Sequence, residues 1–167
     1  MSIDDKKIRS TPFEVTIKGM HAIDLPESIV TPFIDAGQQR VRVIATFEGK
    51  SIEFHAALQK YQGRYRLTFG KSKQKQLGLF PSDYFQLQLF EDHSKYGVDV
   101  PEELAAVLET DTEAYKIFES FTPGKKRSII YMIARFKNSQ TRIDKALLLC
   151  ENIKRGIRDH REILKQF

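Results

Sequence analysis

Residues 40–58 read RVRVIATFEGKSIEFHAAL, with an apolar residue at every second position on both sides of Glu48-Gly49-Lys50. A period of two predicts strands with one buried face, and a short connection containing glycine predicts an antiparallel hairpin. Three further runs alternate in the same way: 13–17, 64–69 and 85–89. Residues 1–95 therefore predict a small antiparallel β-barrel or sandwich.

An internal repeat relates two parts of this half. A shift of 44 residues places 21–26 on 65–70 and carries the apolar positions of 41–45 onto those of 85–89. Each unit then reads strand, short helix, tight turn and strand. The two helices are expected at Glu27–Ala36, opened by a proline, and at Lys71–Leu77, stopped by a glycine. Two such units in one chain predict a barrel with a pseudo-two-fold axis that closes as a monomer.

After residue 95 the apolar period becomes helical, so residues 96–167 predict a helical domain and the fold class is α+β. Four helices are expected: one opened by Pro101, one at 112–121, one at 125–137, and one from Asn138 or Ser139 to Gly156. A last amphipathic piece is expected at 158–167. On the fourth of these the predicted apolar stripe is Ile143, Ala146, Leu147, Cys150 and Ile153.

Composition excludes several classes of protein. The chain has 167 residues and a single cysteine, which excludes an intrachain disulfide and a multi-cysteine zinc cluster. No apolar run approaches the ~20 residues of a membrane-spanning helix, so no membrane contact is expected. The opening residues 1–7 are polar and lack the apolar core of a signal peptide, which predicts a cytoplasmic protein.

Charge is distributed unevenly in the second half. Residues 96–121 carry a net charge of −6 and residues 122–167 a net charge of +8. Oppositely charged helices in so small a unit are expected to face each other. We therefore predict that Arg127 or Arg142 pairs with an acid such as Glu103, Glu109 or Glu113. The alternative leaves these arginines free, facing solvent as an anion site.

Basic residues supply the candidate binding positions for an anion or nucleic acid: Arg64, Arg66, Lys71, Lys73, Arg127, Lys137 and Arg142. The stretch Lys60–Lys75 contains six basic residues, no acid and interleaved aromatic residues, a composition typical of nucleic-acid contacts. Strand alternation favours a second interpretation, in which the aromatic residues enter the core and the arginines form a solvated face.

No catalytic, cofactor-binding or metal-binding residue is predicted. The four histidines are scattered without metal-ligand spacing, and His55 is interpreted as a surface residue beside Glu53. Cys150 lies in an apolar stripe and is expected to be a buried structural residue. The chain lacks the motifs of a P-loop, a nucleophile elbow, a zinc protease and a dinucleotide-binding turn.

The helical half contains Val100-Pro101-Glu102-Glu103-Leu104, Phe118 and Thr141-Arg142. In these residues it resembles the YdeI/OmpD-associated family, also called the OmdA or bacteriocin-protection family. This chain departs from the family pattern at Phe136-Lys137, where an Ala-Lys pair is usual, and at Asp144-Lys145, where the family has arginines.

The first half resembles a small β-barrel domain of unknown function that often precedes this helical unit. The residues that carry the resemblance are Gly63–Phe69, Leu77-Gly78-Leu79 and Ser82-Asp83. That barrel is similar to the double-split barrel of the AbrB and MazE DNA-binding proteins. The 44-residue repeat fits this similarity, since one chain would supply both halves of what AbrB builds as a dimer. The resemblance implies a fold and no established enzymatic activity.

Three functions follow as expectations. The first is a cytoplasmic binding or interaction protein, monomeric and without a cofactor, whose partner is an unknown protein or small molecule; the family name implies a role in stress or bacteriocin tolerance. The second is a nucleic-acid-binding protein that uses the basic strands of the barrel. The third is an enzyme with a pocket between the two domains.

Overall fold

The computed structural model describes residues 8–166 and is a mixed α+β structure. Its internal contacts divide the chain into two units, one ending at Gly97 and one beginning at Val98. The elements of the first unit are β1 (Phe13–Thr16), β2 (Ala22–Leu25), α1 (Glu27–Asp35), β3 (Arg40–Phe47), β4 (Lys50–Ala57), β5 (Gln59–Tyr61), β6 (Arg64–Thr68), α2 (Lys71–Leu77) and β7 (Tyr84–Glu91). The elements of the second are α3 (Glu102–Thr110), α4 (Thr112–Glu119), α5 (Pro123–Ala134) and α6 (Ser139–Lys154).

The strands of the first unit form two antiparallel sheets, ordered β1-β7-β3-β4 and β2-β6-β5. Across the described residues the hydrogen bonding does not close these sheets into one barrel. The structure therefore confirms the antiparallel strands of the prediction, arranged as two sheets. The edge strands of the smaller sheet are short, with four residues in β2 and three in β5, which limits the pairing they offer to the larger sheet.

The register of both sheets follows the 44-residue repeat. Ile44 faces Gln88 in the β3–β7 ladder, and Ile23 faces Leu67 in the β2–β6 ladder. In two antiparallel strands related by a two-fold axis, the residue on the axis faces its own equivalent in the other repeat. Both pairs are 44 residues apart, so a single shift describes the two ladders.

The core of this unit contains buried residues from both sheets and both helices. The rings of Phe54 and Phe85 lie 5.5 and 5.3 Å from the ring of Phe69, within the range of favourable aromatic contacts. Each helix contributes a fully buried residue at equivalent repeat positions, Phe33 in α1 and Leu77 in α2.

Two-residue turns join the hairpins where the sequence predicts short connections. Glu48 and Gly49 have φ of 46° and 79°, and Gln62 and Gly63 have φ of 50° and 77°. Positive φ at both central residues is the geometry of the type I′ turn, whose twist matches that of the flanking strands. Gly78 has a left-handed conformation directly after α2, as predicted for a helix stop.

Side-chain caps begin three of the four helices of the second unit. The side chains of Asp111, Thr122 and Asn138 accept hydrogen bonds from backbone N–H groups three residues later, at 3.1, 3.2 and 3.1 Å. Each cap satisfies one of the free donors at a helix start. The prediction that Asn138 or Ser139 opens the last long helix is confirmed, with Asn138 as the cap.

The predicted apolar stripe of α6 is wrong at one position. Leu147 is 52% exposed, whereas Leu149, which was not predicted, is fully buried. Helix α6 packs against α3, α4 and α5. Because three helices cover α6, its buried face is wider than the single apolar stripe that periodicity predicts, and it includes Leu149.

The amphipathic piece expected at 158–167 consists of turns and irregular chain in its described part, which ends at residue 166. The buried amide of Asn152 donates to the carbonyl oxygens of Ile163 and Lys165, at 2.9 and 2.8 Å. These bonds attach the segment to α6, and Ile163 is fully buried. The polar residues 1–7 and Phe167 lie outside the described residues. No helix between residues 8 and 166 combines the length and hydropathy needed to span a bilayer.

Candidate functional site

Four residues form a row across the outer face of the larger sheet. Arg9 bridges to Phe90, Phe90 faces Arg42, and Arg42 faces His55. Directly opposed residues on adjacent strands project on the same side of a sheet. The row therefore places two guanidinium groups and an imidazole beside one aromatic ring.

The chain that follows β7 completes a cleft over this row. We call it the His55 cleft; its volume is about 510 Å³. Its lining residues are Ile8, Arg9, Arg42, His55, Phe90, Glu91, Asp92, His93 and Ser94.

His55 and Asp92 form the most buried polar pair of the cleft. His55 Nδ1 lies 2.7 Å from Asp92 Oδ2, and their side chains are 12% and 3% exposed. The other carboxylate oxygen accepts hydrogen bonds from the Ser94 backbone N–H, at 2.9 Å, and from the Ser94 hydroxyl. Burial raises the pKa of Asp92, but the bonds from Ser94 and His55 outweigh it, so the pKa is lowered overall. The ionised carboxylate can only accept, and Nδ1 of His55 therefore carries a hydrogen.

The other basic groups of the cleft differ in their pairing. The Arg42 guanidinium forms an ion pair with Glu53 and lies 4.6 Å from the centre of the Phe90 ring. The exposed His93 contacts Glu91 at 2.8 Å. Arg9 is exposed and forms no ion pair with any residue between 8 and 166. The cleft thus holds one guanidinium that no carboxylate between residues 8 and 166 neutralises, close to one held in place by stacking.

The sequence interpretation of His55 was wrong about its burial. Strand alternation correctly placed the residue on the outer face of β4, but the segment after β7 covers it. The signal that was missed is the Asp92-His93-Ser94 spacing, since an aspartate that accepts from the N–H two residues later forms an Asx-turn.

The predicted basic residues of the first unit have different environments. Arg66 lies 3.4 Å from Asp24 across the β2–β6 ladder and 4.2 Å from the centre of the Tyr61 ring. Lys73 lies 5.0 Å from the centre of the Phe54 ring, so its stem covers the core. Lys71 is exposed on α2.

Arg64 is exposed and lines a second cleft, of about 480 Å³. The carboxylates of Asp24, Glu27 and Asp35 line the same cleft. The surface around Arg64 is therefore of mixed charge.

In the second unit the predicted charge pairing is confirmed for Arg142. Its guanidinium binds Glu103 at 2.8 Å, and its Nη1 donates to the carbonyl oxygen of Phe136 at 2.7 Å. Ser139 also donates to Glu103, at 2.9 Å. The Arg142 bonds, first among several, lower the pKa of Glu103 to about 2. These bonds connect α3 to the start of α6.

The remaining two predicted residues are not joined to Arg142 by any bond between described residues. Arg127 is half-buried within α5 and forms no ion pair in the described part of the chain, and Lys137 is exposed between α5 and α6. The seven predicted residues thus have separate roles. Arg142 has a structural partner, and Arg66 and Lys73 contact aromatic rings of their own unit.

Cys150 is 3% exposed, which confirms the prediction of a buried residue. Burial, with a smaller contribution from Asp111, raises the pKa of its thiol to about 11. Within residues 8–166, no three histidine, cysteine, aspartate or glutamate side chains come together in a way that could hold a metal ion.

Residues 97–156 match the model of the OmdA family, described as Bacteriocin-protection, YdeI or OmpD-Associated. The matched segment is about a third of the chain and contains all four helices of the second unit. The family resemblance predicted for the helical half is therefore confirmed. The similarity of the first half to AbrB and MazE domains stays a prediction. No curated protein matches the chain significantly.

Proposed function

We propose that this chain is a binding protein that takes a small anionic molecule into the His55 cleft. The observation that carries the proposal is the cross-strand row of Arg9, Phe90, Arg42 and His55. Guanidinium groups bind carboxylates and phosphates through paired N–H donors, and the bonds are stronger than those between neutral groups.

The cleft is organised before any ligand enters. Arg42 is held between Glu53 and the Phe90 ring, and His55 is held by Asp92. A side chain that is already ordered loses little conformational entropy on binding. Arg9 supplies positive charge that no described carboxylate neutralises. The cleft's own carboxylates, Asp92 and Glu91, are each bound by a histidine, so an anion of carboxylate or phosphate type would bind at Arg9 and Arg42.

The match at 97–156 supports a role in bacteriocin tolerance or stress, which we propose as the biological process. A cytoplasmic location and a monomeric state stay predictions. We also propose that the first unit is a split barrel built from two repeats. The common register of Ile44–Gln88 and Ile23–Leu67 supports this relationship.

An NMR titration of the ¹⁵N-labelled full chain tests the binding site. Inorganic phosphate and succinate serve as probes of the two anion types. We expect saturable shifts of the amides of Arg42, His55 and Ser94. Arg42→Gln should weaken binding, whereas Arg64→Gln, which removes an exposed arginine from the same unit, should not. Absence of saturable shifts, or equal weakening by the two variants, contradicts the proposal.

Bacteriocin tolerance needs a separate experiment. The gene is deleted, and growth is measured over a range of bacteriocin concentrations. Lower tolerance that the wild-type chain restores supports the proposed process. If Arg42→Gln restores tolerance as well as the wild type does, the process does not depend on the His55 cleft.

A further inference from the structure

Helix α2 presents a basic face with no acidic residue in the helix. It reads KSKQKQL, and both Lys71 and Lys75 are exposed. Residues four apart lie on the same side of a helix, so these two ammonium groups are neighbours. Lys73 points elsewhere, because its Nζ lies over the Phe54 ring.

A third lysine reaches this face from strand β4. A Cβ atom built on Gly78 would lie 3.5 Å from Nζ of Lys50, so this ammonium group sits at the end of α2. The acid nearest to Lys50 in sequence on the β3–β4 hairpin is Glu48. The three lysines therefore outnumber Glu48 and Asp83, the acids of the two adjacent turns.

Two exposed aromatic residues follow the helix. Phe80 is 74% exposed and Tyr84 is 62% exposed. The turn between them is rigid, because the Phe80 N–H donates to the Asp83 carboxylate at 2.7 Å and the Asp83 N–H donates to the Phe80 carbonyl at 3.0 Å. The Thr16 hydroxyl also donates to the Asp83 carbonyl, at 2.9 Å. The backbone that carries the two rings is thus held in place while the rings face solvent.

We propose that this surface, formed by Lys50, Lys71, Lys75, Phe80 and Tyr84, binds single-stranded nucleic acid. The lysines would contact phosphates, and the rings would stack on bases. A single strand exposes the flat faces of its bases, whereas a duplex encloses them, so exposed rings favour the single strand.

This surface is separate from the His55 cleft. Tyr84 and Phe90 lie at opposite ends of β7, which separates the two positions by about 20 Å along the strand. Anion binding in the cleft and nucleic-acid binding at this surface can therefore be abolished by separate substitutions.

Fluorescence anisotropy of the full chain with a labelled oligodeoxythymidine of about 15 nucleotides tests the proposal. We expect Phe80→Ala and Tyr84→Ala each to weaken binding by about 5- to 100-fold. The triple variant of Lys50, Lys71 and Lys75 to Gln should reduce the slope of log affinity against log salt concentration by about 2. A duplex of equal length should bind more weakly.

Matched controls lie in the helical unit. Tyr131→Ala removes a ring that is 51% exposed, and Gln at the exposed Lys116, Arg135 and Lys165 lowers the net charge as much as the test triple. Both controls should bind like the wild type. Several results would overturn the proposal: no binding of the oligonucleotide, equal affinity for the duplex, no effect of the aromatic variants, or equal effects of the two triple variants.

Discussion

Arg142 donates two hydrogen bonds to the same oxygen of Glu103, at 3.0 Å from Nε and at 2.8 Å from Nη2. Its Nη1 donates to the carbonyl oxygen of Phe136, which lies in the loop between α5 and α6. One guanidinium thus joins three parts of the helical unit. The Thr141-Arg142 pair, on which the family resemblance partly rests, has a structural role here.

We predict that replacing Glu103 changes the acid stability of the protein. The pKa of this carboxyl falls from 4.5 to about 2, chiefly through its bonds with Arg142. A folded-state pKa below the unfolded value stabilises the protein above pH 4.5, and this contribution is lost as the pH falls toward 2. Glu103→Gln should therefore lower the stability at neutral pH and flatten its dependence on pH in that window. Urea unfolding at a series of pH values measures both effects.

Glu109→Gln is the control for this prediction, since it removes an exposed acid of the same helix that forms no ion pair with a described residue. It should leave the pH dependence close to that of the wild type. Identical curves for Glu103→Gln and the wild type would show that the Arg142 bond contributes nothing to stability.

Asp92→Ala should destabilise the first unit by about 1–3 kcal/mol, because the donors of His55 and Ser94 lose their acceptor in a buried place. The pKa of Asp92 is lowered from 3.8, because the bonds it accepts outweigh the effect of burial. Its contribution is therefore present above pH 3.8 and is lost as the pH falls below it. Thermal unfolding measures the change. Asp35→Ala, at an exposed position of α1, is the control, and equal effects of the two variants would contradict the prediction.

Two leucines of α6 give a direct comparison. Leu149 is fully buried and Leu147 is 52% exposed, although they are two residues apart. Leu149→Ala should cost about 2–5 kcal/mol, and Leu147→Ala should stay within about 0.5 kcal/mol of the wild type. Denaturant unfolding of the two variants decides the matter. A larger cost at Leu147 would mean that another molecule or segment covers that face in solution.

Cys150→Ala should keep the fold at a cost of about 1 kcal/mol, since it leaves a small void. Cys150→Asp should cost several times as much, because it buries a charge without a partner. The thiol pKa of about 11 keeps the sulfur protonated at neutral pH, so a bulky thiol reagent should react slowly with the native protein. Rapid labelling before denaturant is added would show that the sulfur is accessible.

The first unit should fold alone as a monomer when the fragment includes Gly97. Arg40 donates two hydrogen bonds to the Gly97 carbonyl, at 3.2 Å from Nε and 3.0 Å from Nη2. A fragment of residues 1–97 should therefore be more stable than one of residues 1–95. Circular dichroism and size-exclusion chromatography of both fragments test this. A fragment that is unfolded, or that folds only as a dimer, would contradict the single-chain repeat.

Local sequence was sufficient to determine most of the secondary structure. The alternation at 41–47, the Gly49 and Gly63 turns and the cap at Asn138 each depend on a few adjacent residues. The burial of one face of a strand and the positive φ of a turn both depend on neighbouring residues, so the pattern that produces them can be seen in the sequence. The 44-residue repeat was likewise visible in the sequence, and the structure adds that Ile44 faces Gln88 across the β3–β7 ladder.

Contacts between distant segments were decided by the tertiary structure. His55 has a buried partner because the chain after β7 returns over β4, and no pattern around position 55 contains that path. Leu149 is buried and Leu147 is not, because α3, α4 and α5 all pack on α6. The last segment is attached to α6 because the Asn152 amide donates to the carbonyl oxygens of Ile163 and Lys165, which lie more than ten residues further along the chain. Periodicity reports which face of an element is apolar, but the side chains that meet there depend on how the whole chain folds.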